Sequence, residues 1–243
     1  LFRISEPVVL ERVEILSLIE QFQFNFLDDS RWQFIVSGLK NTIIITFFAV
    51  LLGVFLGFLI AIVRSTHDKT GKLKILNVIC RVYLTVIRGT PTVIQLLIMN
   101  FVVFGSVSVN EILVGSLAFG INSGAYVAEI VRSGIMSIDQ GQTEAGRSLG
   151  LNFTQTMRLI IIPQAFKNVL PALVNEFIVL IKETSIIGYI GMMDLTKGAM
   201  LIQSRTYNAF MPLLAAAAIY LIVVMVLTFF MNKLERRLRT SER

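Results

Sequence analysis

Long apolar runs separated by short charged segments dominate the chain. No charged residue occurs from Asn41 to Val63; as a helix this run is roughly 35 Å long, enough to cross a hydrocarbon core of about 30 Å. A second uncharged run extends from Thr206 to Asn232. Three further apolar stretches lie between them. Val82 to Asn110 is interrupted early by Arg88, Gly89 and Pro91; Ile112 to about Ile135 carries Glu129 and Arg132; the stretch after Pro163 reaches about Ile181 and contains Lys167, Pro171 and Glu176. The pattern predicts an all-α polytopic membrane protein of five transmembrane helices, over about 32–64, 82–104, 111–136, 164–182 and 206–232. An odd number of spans places the termini on opposite sides.

Residues 32–243 therefore read as one transmembrane domain. Residues 1–31, with Glu6, Glu11, Arg12, Glu14 and Glu20, lack the positive start and apolar centre of a signal peptide and read as an exterior segment. The stretch from Thr184 to Arg205, punctuated by Gly188, Gly191 and Gly198, has apolar pieces too short to span and reads as re-entering or capping the outer side.

Composition agrees with this picture. Of 243 residues 55% are hydrophobic and 16% charged, against roughly 45–50% and about 25% for soluble domains. Cys80 is the single cysteine and His67 the single histidine, which excludes an intrachain disulfide and argues against a metal site. A net charge of +6 invites a nucleic-acid reading, but the basic residues sit beside apolar runs, where membrane topology explains them. Arg64, Lys69, Lys72, Lys74 and Arg81 follow the first span; Arg132, Arg147, Arg158 and Lys167 surround the segment 137–163; Lys233, Arg236, Arg237, Arg239 and Arg243 close the chain. By the positive-inside rule these three regions, with the C-terminus, are cytoplasmic and the N-terminus is exterior.

The cytoplasmic segment 137–163 has a distinctive spacing: Glu144, Ala145 and Gly146, then Gly150, Ile160, Ile162 and Pro163. This resembles the EAA loop of ABC importer permeases, with Gly146 where that family often has Ala and Ile162 where it often has Leu. The resemblance implies a short coupling helix, a turn at Gly150 and a second helix, with Glu144, Ala145, Gly146 and Gly150 engaging a cytoplasmic ATPase. The stretch Arg88-Gly89-Thr90-Pro91 with Gln95 resembles the polar amino-acid branch of the same permeases, over a likeness that runs from about Trp32 to the C-terminus. It implies a type I importer fold and a bacterial cytoplasmic-membrane location. The partners implied are two ATP-binding subunits that carry the ATP and Mg, a second permease copy or a paralogue, and an extracytoplasmic amino-acid-binding protein. No cofactor is expected in this chain and no catalytic residue stands out. The one Gly-Lys pair, Gly71 and Lys72, has Thr66 and Leu73 where a phosphate loop needs Gly and Ser or Thr.

Candidate substrate contacts follow from polar residues inside spans, where each needs a partner or a cavity. Asn122, Tyr126 and Glu129 recur at helical spacing and present an amide, a phenol and a carboxylate on one face. A carboxylate there leans toward arginine, lysine or histidine, while a neutral amide such as glutamine stays open. The alternative is an internal ion pair between Glu129 and Arg132. Thr90, beside the helix break, and Asn100 are further candidates; Lys182 and Glu183 read equally as interface anchors. An ion-coupled secondary transporter would show inverted repeats and paired broken helices, and only one convincing break is present.

Overall fold

The computed structural model describes residues 18–240, all of its regular structure being helical. Residues 1–17 of the expected exterior segment lie outside the described residues. Helix α1 (Leu18–Phe22) leads through a π turn at Gln23–Leu27 and a 3-10 turn at Asp28–Ser30 into α2 (Trp32–Thr70). At that entry Arg31 folds back to donate to the Phe24 carbonyl and to Asp29 Oδ2.

Helix α2 has 39 residues and runs past the expected end at 64. It stops at Gly71, whose φ of 67° is a left-handed value that glycine adopts without steric cost. Then come α3 (Lys74–Gly89), α4 (Thr92–Ile98) with a π turn at Met99–Val103, and α5 (Glu111–Met136). A helical hairpin of α6 (Gln140–Ser148) and α7 (Phe153–Thr156) leads through a π turn at Met157–Ile161 into α8 (Ile162–Glu183). A 3-10 segment at Thr184–Ile190 precedes α9 (Leu195–Thr206), and α10 (Phe210–Thr240) follows.

The interruption expected at Arg88 to Pro91 in the second span, 82–104, is a sharp bend, and the helix before it begins earlier than expected, at Lys74. Helices α3 and α4 meet at 108°. Pro91 has no N–H to donate, and the residue before a proline is pushed out of helical geometry; Thr90 accordingly sits at φ −122°, ψ 146°, and α4 starts only after Pro91. The last span also starts later than expected, at Phe210, because Thr206 ends α9 and Tyr207 turns left-handed at φ 54°. Among the described residues, helices α2, α5 and α10 are individually long and apolar enough to cross a membrane, and the bent pair α3–α4 makes a fourth when it is counted as one span. Helix α8, with 22 residues, is about 33 Å long but carries Lys167, Pro171, Glu176 and Lys182.

Burial identifies the centre of the bundle. In their most apolar windows α5 is 72% buried, α2 28% and α10 6%. Helix α5 packs most extensively on α2, and small residues let the two approach: a Cβ on Gly53 would lie 2.9 Å from the Ser123 side chain, and one on Gly57 would collide with Val127. Ile45, Leu96, Phe119, Leu180 and Ile187 fill the core at one end, and Ala61, Val127, Val131 and Val169 at the other.

The segment expected to re-enter or cap is built around α9. Asp194 caps that helix by accepting from the Thr196 and Lys197 amides. Leu195, Ala199 and Ile202 bury against Phe26 and Ile35. Asn41 donates to the Met193 carbonyl at 2.8 Å, and the Leu195 amide donates to Thr42 Oγ1 at 3.3 Å. This joins α9 to the start of α2.

Candidate functional site

The hairpin between α5 and α8 owes its shape to local chemistry. Asp139 caps α6 by accepting from the Gly141 amide at 2.7 Å, and α6 closes at Ser148. Gly150 reverses the chain at φ 80°. Asn152 and Gln155 then form a reciprocal capping box that starts α7. Gly146 is buried on the inside of the hairpin, where a Cβ would lie 2.8 Å from the Thr156 methyl and 3.0 Å from Ile160 Cδ1. Glu144 and Ala145 point outward and are exposed. The hairpin is thus a short helix packed on its own return strand of helix, with one outer face free.

The break between α3 and α4 is braced by one side chain. Gln95 Nε2 lies 2.8 Å from the Ile87 carbonyl, 3.0 Å from the Thr90 carbonyl and 2.8 Å from Thr90 Oγ1. Its Oε1 accepts from Asn122 Nδ2 at 2.9 Å. Asn122 is 2% exposed, so this amide pair fixes the bend to the central helix. Carbonyls freed by a helix break inside a membrane need such partners.

Below the break lies an open cleft of about 460 Å³ lined by Arg64, Arg81, Leu84, Thr85, Arg88, Gly89 and Glu129. Glu129 Oε1 receives Arg132 Nη2 at 2.6 Å, and its Oε2 faces Arg64 Nη1 at 3.5 Å and Arg88 Nη1 at 3.9 Å. Arg88 also lies over the Tyr126 ring, 5.7 Å from its centroid. One carboxylate therefore serves three guanidinium groups drawn from three helices, and the local charge is positive.

A family model described as binding-protein-dependent transport system inner membrane component matches residues 49–240. The chain belongs to this family. A Rickettsia typhi relative, provisionally named a glutamine transport system permease, is 40% identical over 207 residues, covering 84% of this chain and 93% of its own. The arginine transport system permease ArtQ of Bacillus subtilis is 36% identical over 211 residues, covering 86% and 94%. A crystal structure of an amino acid ABC transporter with histidines superposes with a TM-score of 0.79 at 43% identity, covering 87% of this chain and 98% of that one. The protein is thus a membrane-spanning permease subunit of an ABC importer, a multi-pass inner-membrane component, and ATP hydrolysis falls to separate subunits.

Within this permease the residues singled out from sequence do not gather in one cavity. Thr90 and Asn122 join Gln95 in the brace, Glu129 and Tyr126 belong to the arginine cluster, and Asn100 sits half-buried in the π turn after α4 without a side-chain hydrogen bond. Glu176, which the sequence marks only as a blemish in an apolar run, accepts from Ser123 Oγ on α5 at 2.9 Å. Glu183 follows two helical turns later, so both carboxylates lie on one face of α8. The signal available in sequence was this seven-residue spacing. Replacing Gln95 with leucine removes the donors at the break and strands the Asn122 amide. We expect Gln95→Leu to cost about 1–3 kcal/mol, read as a lower thermal midpoint of the detergent-purified permease, with Gln95→Glu only partly restoring it.

Proposed function

We propose that this permease forms the translocation pathway for a polar amino acid with a basic side chain. The observation that carries the reading is the pair of carboxylates on α8, Glu176 against Ser123 and Glu183 beyond it, with no arginine paired to either among the described residues. Acidic groups in a span face a ligand, a partner or a water-filled path. Asn100, whose amide has no partner among the described residues, supplies a polar contact on the bent helix pair. Glu129 gives weaker support than its sequence setting suggested, since arginines already neutralise it. We place Asn122 and Thr90 in the same path as braces of its wall, and Tyr126 beside them through its stacking with Arg88.

In this reading Glu144, Ala145, Gly146 and Gly150 dock the hairpin on an ATP-binding subunit on the cytoplasmic side, where the C-terminus also lies. Two permease copies stand together, a binding protein delivers substrate from the exterior, and closure of the ATPases pulls the hairpins together and turns the path outward. The exposed outer face of α6 supports this assignment. A second reading, a neutral amide such as glutamine, is favoured by the absorption of the Glu129 charge and by the glutamine permeases among the relatives.

ATP-driven uptake of radiolabelled arginine and glutamine, in proteoliposomes holding the permease with its ATPase and binding protein, separates the two. We expect Glu176→Gln to lower arginine uptake about tenfold or more, the weight of one hydrogen bond to a charged group, with ATP hydrolysis retained. Unchanged arginine uptake in that variant, with glutamine the better substrate, overturns the basic-side-chain reading.

A further inference from the structure

The arginine cleft continues into an apolar groove. Along α3, Arg81, Thr85 and Arg88 recur at spacings of four and three and line the cleft, while Val78, Val82 and Val86 recur every four residues beside them. The valines are 58%, 58% and 53% exposed. Together with Arg81 and Thr85 they line a groove of about 320 Å³. Arg81 and Thr85 are common to both cavities, so a cationic pocket opens directly into a trough of methyl groups.

Charge in the pocket is unbalanced. Glu129 is the one acidic residue lining it, against Arg64, Arg81 and Arg88, and Arg132 competes for the same carboxylate. Arg81 makes no ion pair among the described residues, and Nε of Arg64 is buried without a hydrogen bond. Helix α3 turns 108° away from α4 at the end of the bundle from which the α6–α7 hairpin projects. Such a basic pocket beside an apolar face at a membrane surface is suited to an anionic headgroup.

We propose that this composite site binds an anionic phospholipid of the leaflet on the hairpin side. Its phosphate sits among Arg64, Arg81 and Arg88, and an acyl chain lies along Val78, Val82 and Val86. The guanidinium fork matches a phosphate bidentately, and the exposed valine stripe offers an apolar face of the kind an acyl chain covers. A neutral lipid offers the same chains with a headgroup whose charges cancel, so phosphatidylglycerol is favoured over phosphatidylcholine.

Native mass spectrometry of the detergent-purified permease–ATPase complex, titrated with phosphatidylglycerol or phosphatidylcholine, tests this. Wild type is expected to retain phosphatidylglycerol preferentially. Arg81→Gln and Arg88→Gln are each expected to weaken that adduct about fivefold and to leave phosphatidylcholine unchanged, while Val82→Asp weakens both lipids. Arg81 has no partner to orphan, so its variant serves even if Arg88→Gln fails to fold. Equal retention of both lipids in wild type, or phosphatidylglycerol retention unaffected by Arg81→Gln, overturns the proposal. Release of the adduct by millimolar inorganic phosphate with no effect of Val82→Asp reduces the site to a free-anion site and overturns the lipid. Disulfide formation between two Val82→Cys chains in the membrane shows a second copy on the groove and likewise overturns it.

Discussion

Gly38→Val is expected to destabilise the permease by about 3 kcal/mol, a fall of roughly 6–12 °C in the thermal midpoint of the detergent-purified protein. A Cβ at position 38 would overlap the Asp194 carbonyl oxygen and lie 2.8 Å from the Leu195 amide nitrogen. These are backbone atoms and have no rotamer to adopt. The contact is reciprocal, because a Cβ on Gly198 would lie 2.5 Å from the Phe34 carbonyl oxygen. Helix α9 would have to lift from α2, breaking the Asn41–Met193 and Thr42–Leu195 hydrogen bonds and opening the cluster around Leu195 and Ile202. Gly89→Ala is the matched control: its Cβ would meet nothing within 4 Å, and its midpoint is expected to stay within about 1–2 °C of wild type. An equal drop in both variants would show that glycine loss in general, rather than this crossing, sets the cost.

Charge reversal at Glu144 and loss of the left-handed turn at Gly150 are expected to abolish transport by different routes. Glu144 is exposed on the outer face of α6, so Glu144→Lys is expected to leave the fold untouched while reversing the charge at the contact proposed above for the ATP-binding subunit. Gly150→Val forces a β-branched side chain to φ 80°, at a local cost of at least about 1–2 kcal/mol, and swings α6 off α7. Uptake is expected to fall at least tenfold in both, with ATP hydrolysis by the assembled transporter no longer answering to the binding protein. Circular dichroism should match wild type for Glu144→Lys. Full uptake in Glu144→Lys would remove the charged contact from the coupling proposal, and retention by Gly150→Val would show that the turn tolerates strain.

What could be read in the sequence follows the range of the interactions concerned. Helices α2 and α10 announce themselves because a helix facing lipid must be apolar along its length, and that is a local property. The hairpin is legible for a similar reason: Asp139, Gly150, Asn152 and Gln155 act on neighbours within three residues. Pro91 foretells a break, but not the 108° bend or the use of Gln95 and Asn122 to brace it, since that pair is 27 residues apart. Glu129 illustrates the limit most sharply. Arg132 lies within one helical turn and is visible as a partner, whereas Arg64 is 65 residues away and its arrival changes a cation-seeking carboxylate into the minor charge of a basic cluster. Helix α9 was hidden because its apolar positions are few and its anchor is the absence of side chains at Gly38 and Gly198.

The slight burial of α10, 6% in its most apolar window, sets it apart from α5 in how sequence can drift. Positions that no other part of this chain covers ask, where they meet fluid hydrocarbon, for apolarity but for no particular shape, so Leu, Ile, Val, Met and Phe are expected to interchange freely across Leu221, Ile222, Met225, Val226 and Phe229. Along α5 the same exchanges would meet fixed neighbours. A saturation library scored by transport would then draw two contrasting profiles from two helices of the same bundle: permissive along the last, narrow along the one at the centre.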